Sequence, residues 1–139
     1  MIRNVAREIA MHLSYELSFT DLSAGELLDQ RLSSTHFGAI APEYEVYGEV
    51  PGPSQRAYIR KLVSGIAAHG YELDQYIEKY AKGWRFERIP LVAGAIMRLA
   101  MYEILYMPEI PDGAAINEAV EIAKKYESPE VVRFINGIL

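Results

Sequence analysis

The sequence contains no cysteine, which excludes disulfide bridges, thiolate nucleophiles and thiolate metal sites. It also lacks an unbroken hydrophobic run long enough to span a bilayer. Its most apolar stretch, Leu91 to Met107, is interrupted by Arg98 and Glu103 and reads as a buried helix. No basic start followed by an apolar segment marks a signal peptide, so a cytoplasmic protein with no membrane association is expected. An excess of positive charge is missing too: the formal net charge is -5. General affinity for phosphate backbones is thereby excluded, and any nucleic-acid binding has to rest on a local patch. The alternation typical of strands is confined to Tyr44 to Tyr47, so the fold class expected is all-α.

Catalytic signatures are absent as well. His12, His36 and His69 stand in different segments, none beside a second ligand at metal-binding spacing, so neither a metal nor another cofactor is expected. There is no phosphate-cradling glycine loop and no nucleophile elbow. Glu118 and Glu121 read as the charged face of a helix. The sequence motivates no enzyme and leaves binding as the function class.

What is present is one domain's worth of ordinary globular sequence. The 139 residues, half of them hydrophobic, are enough to bury one core without disulfides or metal, and a single domain over residues 1–139 is expected. Ala6, Ile9, Ala10, Leu13 and Leu17 make one face of a helix from Arg3 to Ser18. Arg3 and Arg7, one turn apart, are expected together on its exposed side. Ser23 and Glu26 form a capping box, with Leu22 and Leu27 as a hydrophobic staple, opening a short helix from Ala24 to about Leu32. Glycines and prolines then mark a long loop at about 33–54.

Ser54 is expected to cap the next helix, whose stripe of Ile59, Leu62, Val63 and Ile66 continues through Leu73 and Ile77. Gly65 and Gly70 lower helix propensity by about 1 kcal/mol each relative to alanine, which predicts a break near Gly70. Arg56, Arg60 and Lys61 read as a solvated face. Lys79, Lys82, Arg85 and Arg88 form a second basic concentration, diluted by Glu78 and Glu87. Trp84 and Phe86 lead into a helix from Pro90 that is apolar on most sides and therefore belongs at the centre of a bundle. Gly94, Ala95 and Ala100 are expected to let neighbouring helices approach closely. Pro108 and Pro111 then turn the chain toward Ile116.

The C-terminal run holds two helices and one break. Ile116, Ala119, Val120, Ala123 and Tyr126 form the apolar arc of the first, with Glu121 placed to pair with Lys125. Pro129 stops that helix at Glu127 or Ser128 and starts another, with Ser128 as N-cap and Glu130 in the first turn. Val131, Val132, Ile135 and Ile138 are its apolar side. The break leaves Tyr126, Glu130, Arg133 and Phe134 near one surface. Read by themselves, the two aromatics are either core residues or rings offered to solvent.

The strings INEAVEIAKKY and RFINGIL, preceded by FERIPLV and IMRLAMYEILYMPEIP, resemble the NusB family of bacterial transcription antitermination factors. The resemblance is clearest from Arg56 to Leu139 and extends more weakly through AREIAMHLSYEL; nothing in Ser33 to Gln55 matches it. It implies a compact bundle of about six to seven helices. It also implies single-stranded RNA binding of a boxA-like element, with Arg3 and Arg7 on phosphates, Tyr126 and Phe134 stacked on bases, Arg133 beside them and Glu130 at the family's acidic position. The implied protein partner is the ribosomal protein NusE, with RNA polymerase and other Nus factors engaged indirectly. NusE is expected against Tyr15 and Glu16 and against the segment with Arg85, Glu87 and Arg88. The other reading is a protein-interaction module, or a homodimer, with little RNA binding of its own.

Overall fold

The computed structural model describes residues 3–33, 36, 38–39, 48, 51–81 and 89–139. Regular structure among these residues is entirely helical, as expected. Seven helices have both ends described: α1 (Arg3–Leu17), α2 (Ala24–Arg31), α3 (Pro53–Ala68), α4 (Gly70–Tyr80), α5 (Leu91–Tyr106), α6 (Asp112–Tyr126) and α7 (Pro129–Ile138). None is long and apolar enough to cross a membrane. The chain forms two compact units, Met1–Ala67 and Ala68–Leu139.

In the first unit the α1 stripe is buried as its spacing requires, with Ala6, Ile9, Ala10 and Leu13 removed from solvent. The capping box is formed: Ser23 Oγ accepts from the Glu26 N–H and the Glu26 carboxylate from the Ser23 N–H, each at 3.2 Å. Helix α2 packs on α1, and Arg31 donates from Nε and Nη2 to Glu16 Oε1 at 2.8 and 2.6 Å.

Helix α3 begins at Pro53, earlier than the expected cap at Ser54. Proline's fixed φ suits the first helical position, and the Gly52 carbonyl accepts the Arg56 N–H at 2.9 Å. Most of the expected loop at 33–54 lies outside the described residues; within it His36, Gly38 and Ala39 are helical. The expected solvated face of α3 is corrected at Arg56, whereas Arg60, in an exposed ion pair, and Lys61 remain on it. Arg56 donates from Nη2 to the Leu32 carbonyl at 2.8 Å and from Nε to the Pro51 carbonyl at 3.2 Å, while Arg60 binds Asp29 at 2.8 Å. The end of α2 leaves carbonyls without helical partners, and a guanidinium fork reaches two of the local acceptors at once.

The break expected near Gly70 falls at His69, between α3 and α4. In the second unit α5 is central, packing against α4, α6 and α7. Ala93 to Met97 and Leu99 to Glu103 are buried. What a Cβ at Gly94 would meet is the Arg98 guanidinium of the same helix, at an ordinary contact distance of 3.4 Å, rather than a neighbouring helix, and Arg98 pairs with Asp74. At the far end of α5 the Tyr106 hydroxyl lies 2.7 Å from both carboxylate oxygens of Glu72. The His69 ring stacks on Tyr106 at 4.3 Å, with Nδ1 3.5 Å from Glu72. Hydrogen bonding to the Glu72 carboxylate holds the Tyr106 hydroxyl protonated above the ordinary tyrosine range.

Helix α6 starts at Asp112, four residues before Ile116. The Pro111 carbonyl accepts the Ala115 N–H, and Asp112 places negative charge at the first turn. The apolar period is silent there because only Ala115 of that turn is buried. Glu121 is paired with Lys124 at 2.8 Å, a spacing of three. Helix α7 opens on Ser128, whose Oγ accepts the Val131 N–H, with Pro129 at its first position.

Candidate nucleic-acid interface

In the first unit the candidate contact is Arg3, which rests on the buried ring of Tyr58. Arg3 is exposed, and its guanidinium stands 3.9 Å above the centre of the Tyr58 ring, within the range of a cation–π contact. Arg7 addresses the same ring from 5.8 Å. Its placement corrects the expectation that both arginines share an exposed side: Arg7 is only 3% exposed, and its Nη1 donates to Asn4 Oδ1 at 3.0 Å. The long Arg7 side chain folds against the protein, while Arg3, at the first position of the helix, keeps its charge in water. Tyr58 carries no local signal linking it to the arginines, since it sits fifty-odd positions away on another helix.

Of the expected partner-binding residues, Tyr15 and Glu16 lie at the end of α1. Tyr15 meets the ring of Phe19 edge-on at 5.0 Å, and Phe19 is 60% exposed. Backbone bonds from Ser18 to Tyr15 and from Phe19 to Glu16 wrap the chain there and hold Phe19 outward. Phe19 was missed by periodicity because it stands beyond the helix. Glu16 is not a bare acid but the acceptor of the Arg31 fork. Arg85, Glu87 and Arg88 lie outside the described residues, as do Trp84 and Phe86.

In the second unit, the α6–α7 junction carries Tyr126, Glu130, Arg133 and Phe134. Tyr126 ends α6 with 40% of its surface exposed, and the Lys125 ammonium lies 5.9 Å from its ring centre. Phe134 is half-buried, which places it between the two alternatives the sequence left open. Arg133 is exposed and makes no ion pair among the described residues. Glu130 sits in the first turn of α7, where its charge complements the unsatisfied N–H groups.

The two-residue turn is held from behind by Glu127. Helix α5 begins at Leu91, its N-cap Pro90 offers no side-chain cap, and the Ala93 N–H in its first turn donates to Glu127. Partial burial pushes the Glu127 carboxyl above the usual glutamate range, and this hydrogen bond opposes the shift. Local sequence therefore makes the turn, and an end of the central helix fixes it. Beside it, between α6 and α7, runs an open groove of about 310 Å³ with Asn117, Arg133 and Asn136 among its walls.

These features can be compared with known proteins. The NusB family model matches residues 4–139. The transcription antitermination protein NusB of Acetivibrio thermocellus is 40% identical over 139 residues, covering 100% of this chain and 86% of that protein. The namesake from Lysinibacillus sphaericus is 32% identical over 139 residues, covering 100% and 94%. A solved structure of T. maritima NusB superposes with a TM-score of 0.74 at 25% identity, covering 99% of this chain and 87% of that one. With a family match over nearly its whole length and full-length relatives of this similarity, the chain belongs to the NusB family.

Proposed function

We propose that this protein is a cytoplasmic transcription antitermination factor that binds single-stranded, boxA-like RNA together with the ribosomal protein NusE. Through that complex it engages RNA polymerase and other Nus factors. The observation that carries the reading is the α6–α7 junction, where an exposed tyrosine and an arginine without an ion pair flank a cap-fixed turn in a chain of this family. Single-stranded RNA is held by stacking of bases on aromatic rings and by cations on phosphates. Tyr126 and Phe134 supply the rings, Arg133 the charge, and Glu130 an acceptor for base N–H groups. In the first unit Arg3 supplies a phosphate contact. The burial of Arg7 makes it the support of that contact rather than a second one.

A net charge of -5 with so few committed cations favours RNA binding that depends on a partner. A second protein that brings its own phosphate contacts raises affinity through effective concentration. The surface around Tyr15 and Phe19 is the place we assign to it in the described residues. The test is binding of a fluorescent boxA-like RNA to the protein alone and with NusE, comparing wild type with Phe134→Ala and Arg3→Ala. RNA binding that is strengthened by NusE and lowered in both variants supports the proposal. Normal NusE binding with no RNA bound at any concentration replaces it with a protein-interaction module, or with a homodimer if sedimentation shows one.

A further inference from the structure

The groove between α6 and α7 has walls that the proposed stacking residues do not account for. Val120 and Val132 line it with apolar surface, and Asn117 and Asn136 bring one carboxamide from each helix. Both asparagines are exposed, and neither side chain makes a hydrogen bond to any described residue. Arg133 is in the same position. The remaining cation, Lys124, has its charge offset by Glu121 at 2.8 Å.

A carboxamide offers a donor and an acceptor side by side, and this pairing matches the Watson–Crick or Hoogsteen edge of a base. Two of them beside apolar side chains and a guanidinium suit a flat heterocycle joined to a phosphate. The volume of about 310 Å³ stands at the small end of ligand sites, the right scale for one nucleotide.

From this we infer that the α6–α7 groove is a base-reading subsite, which takes one unstacked nucleotide of single-stranded RNA with Asn117 and Asn136 as its specificity-determining residues. The inference rests on the proposed RNA binding. It adds that sequence discrimination resides in the groove, whereas the aromatic rings supply affinity without strong base preference. Arg133 joins the two by contacting the phosphate between the groove nucleotide and the stacked one.

The experiment uses the full chain with NusE and a set of boxA-like RNAs in which each position is changed in turn to the other three bases. Wild type is compared with the double variant Asn117→Ala/Asn136→Ala and with Phe134→Ala. In the double variant, discrimination at one position should fall by about tenfold, with smaller losses elsewhere. In Phe134→Ala, affinity should fall for all RNAs alike while discrimination at that position persists. Carboxamide resonances of ¹⁵N-labelled Asn117 and Asn136 should shift on RNA addition, a signal independent of any folding defect. If wild-type RNA binding is intact but the double variant keeps full discrimination and the carboxamides do not shift, the subsite is wrong and the RNA-binding reading stands. If wild type binds none of the RNAs, both fall.

Discussion

The guanidinium of Arg3 stands 3.9 Å above the ring of Tyr58, which Arg7 also faces from 5.8 Å, and exposure to solvent separates two arginines that look equivalent in sequence. Arg3 keeps its charge in water over an aromatic face; Arg7 is buried beneath. Arg3→Ala should therefore make the slope of log RNA affinity against log salt shallower by about 0.7, the value for one phosphate contact on a single strand. Its effect on stability should be small. Arg7→Ala should leave that slope unchanged and lower the unfolding free energy by about 1.5 to 3 kcal/mol, the range for hydrogen bonds to charged groups. Salt titrations and urea melts of the two variants check both statements.

Arg56 ties the end of α2 and the start of α3 together through the carbonyls of Leu32 and Pro51. Arg56→Ala should destabilise the protein by about 1.5 to 3 kcal/mol in urea denaturation. Arg56→Lys should recover less than half of the loss, since an ammonium reaches one acceptor where the fork reaches two.

Tyr106→Phe removes the hydroxyl held by Glu72 and should lower the melting temperature at neutral pH. The pH dependence follows from the direction of the shift. Folding raises this hydroxyl above its ordinary value of 10.0, so its contribution is fully present below that pH and is lost as pH rises through the folded value. The difference in melting temperature between wild type and Tyr106→Phe should accordingly shrink in alkaline buffers.

Ser128→Ala removes the oxygen that accepts the Val131 N–H at the start of α7. A loss of about 1 kcal/mol is expected, with Ser128→Asp near wild type because aspartate caps as well and adds favourable charge at a helix start. RNA affinity should fall further than stability in Ser128→Ala if the junction is the binding surface, and binding isotherms at a temperature well below the melting transition separate the two effects.

Much of this architecture was legible in the sequence because its cues are local. The Ser23 and Ser128 caps, the interruption near Gly70 and the central position of α5 follow from residues within a turn or two of each element. The misreadings have a common cause. Helical spacing places Arg7 and Arg56 on outer faces, whereas their surroundings include residues far off in sequence, Tyr58 for Arg7 and Leu32 for Arg56. Long flexible cations bury their stems wherever a packed element leaves an acceptor, and helical periodicity carries no information about that. The start of α6 was missed for a different reason, because Gly113 and Ala114 add nothing to an apolar stripe. At the site, the family resemblance drew attention to Tyr126 and Phe134, while the groove carboxamides Asn117 and Asn136 are nineteen positions apart and meet only because α6 and α7 fold together.

The hydrogen bond from Ala93 to Glu127 makes the turn between α6 and α7 a fastening on the first turn of the central helix. Local opening of that turn must release the Ala93 amide to solvent, so deuterium uptake at this one buried position reports how often the junction opens. A ligand that grips the junction slows the exchange of an amide it never touches.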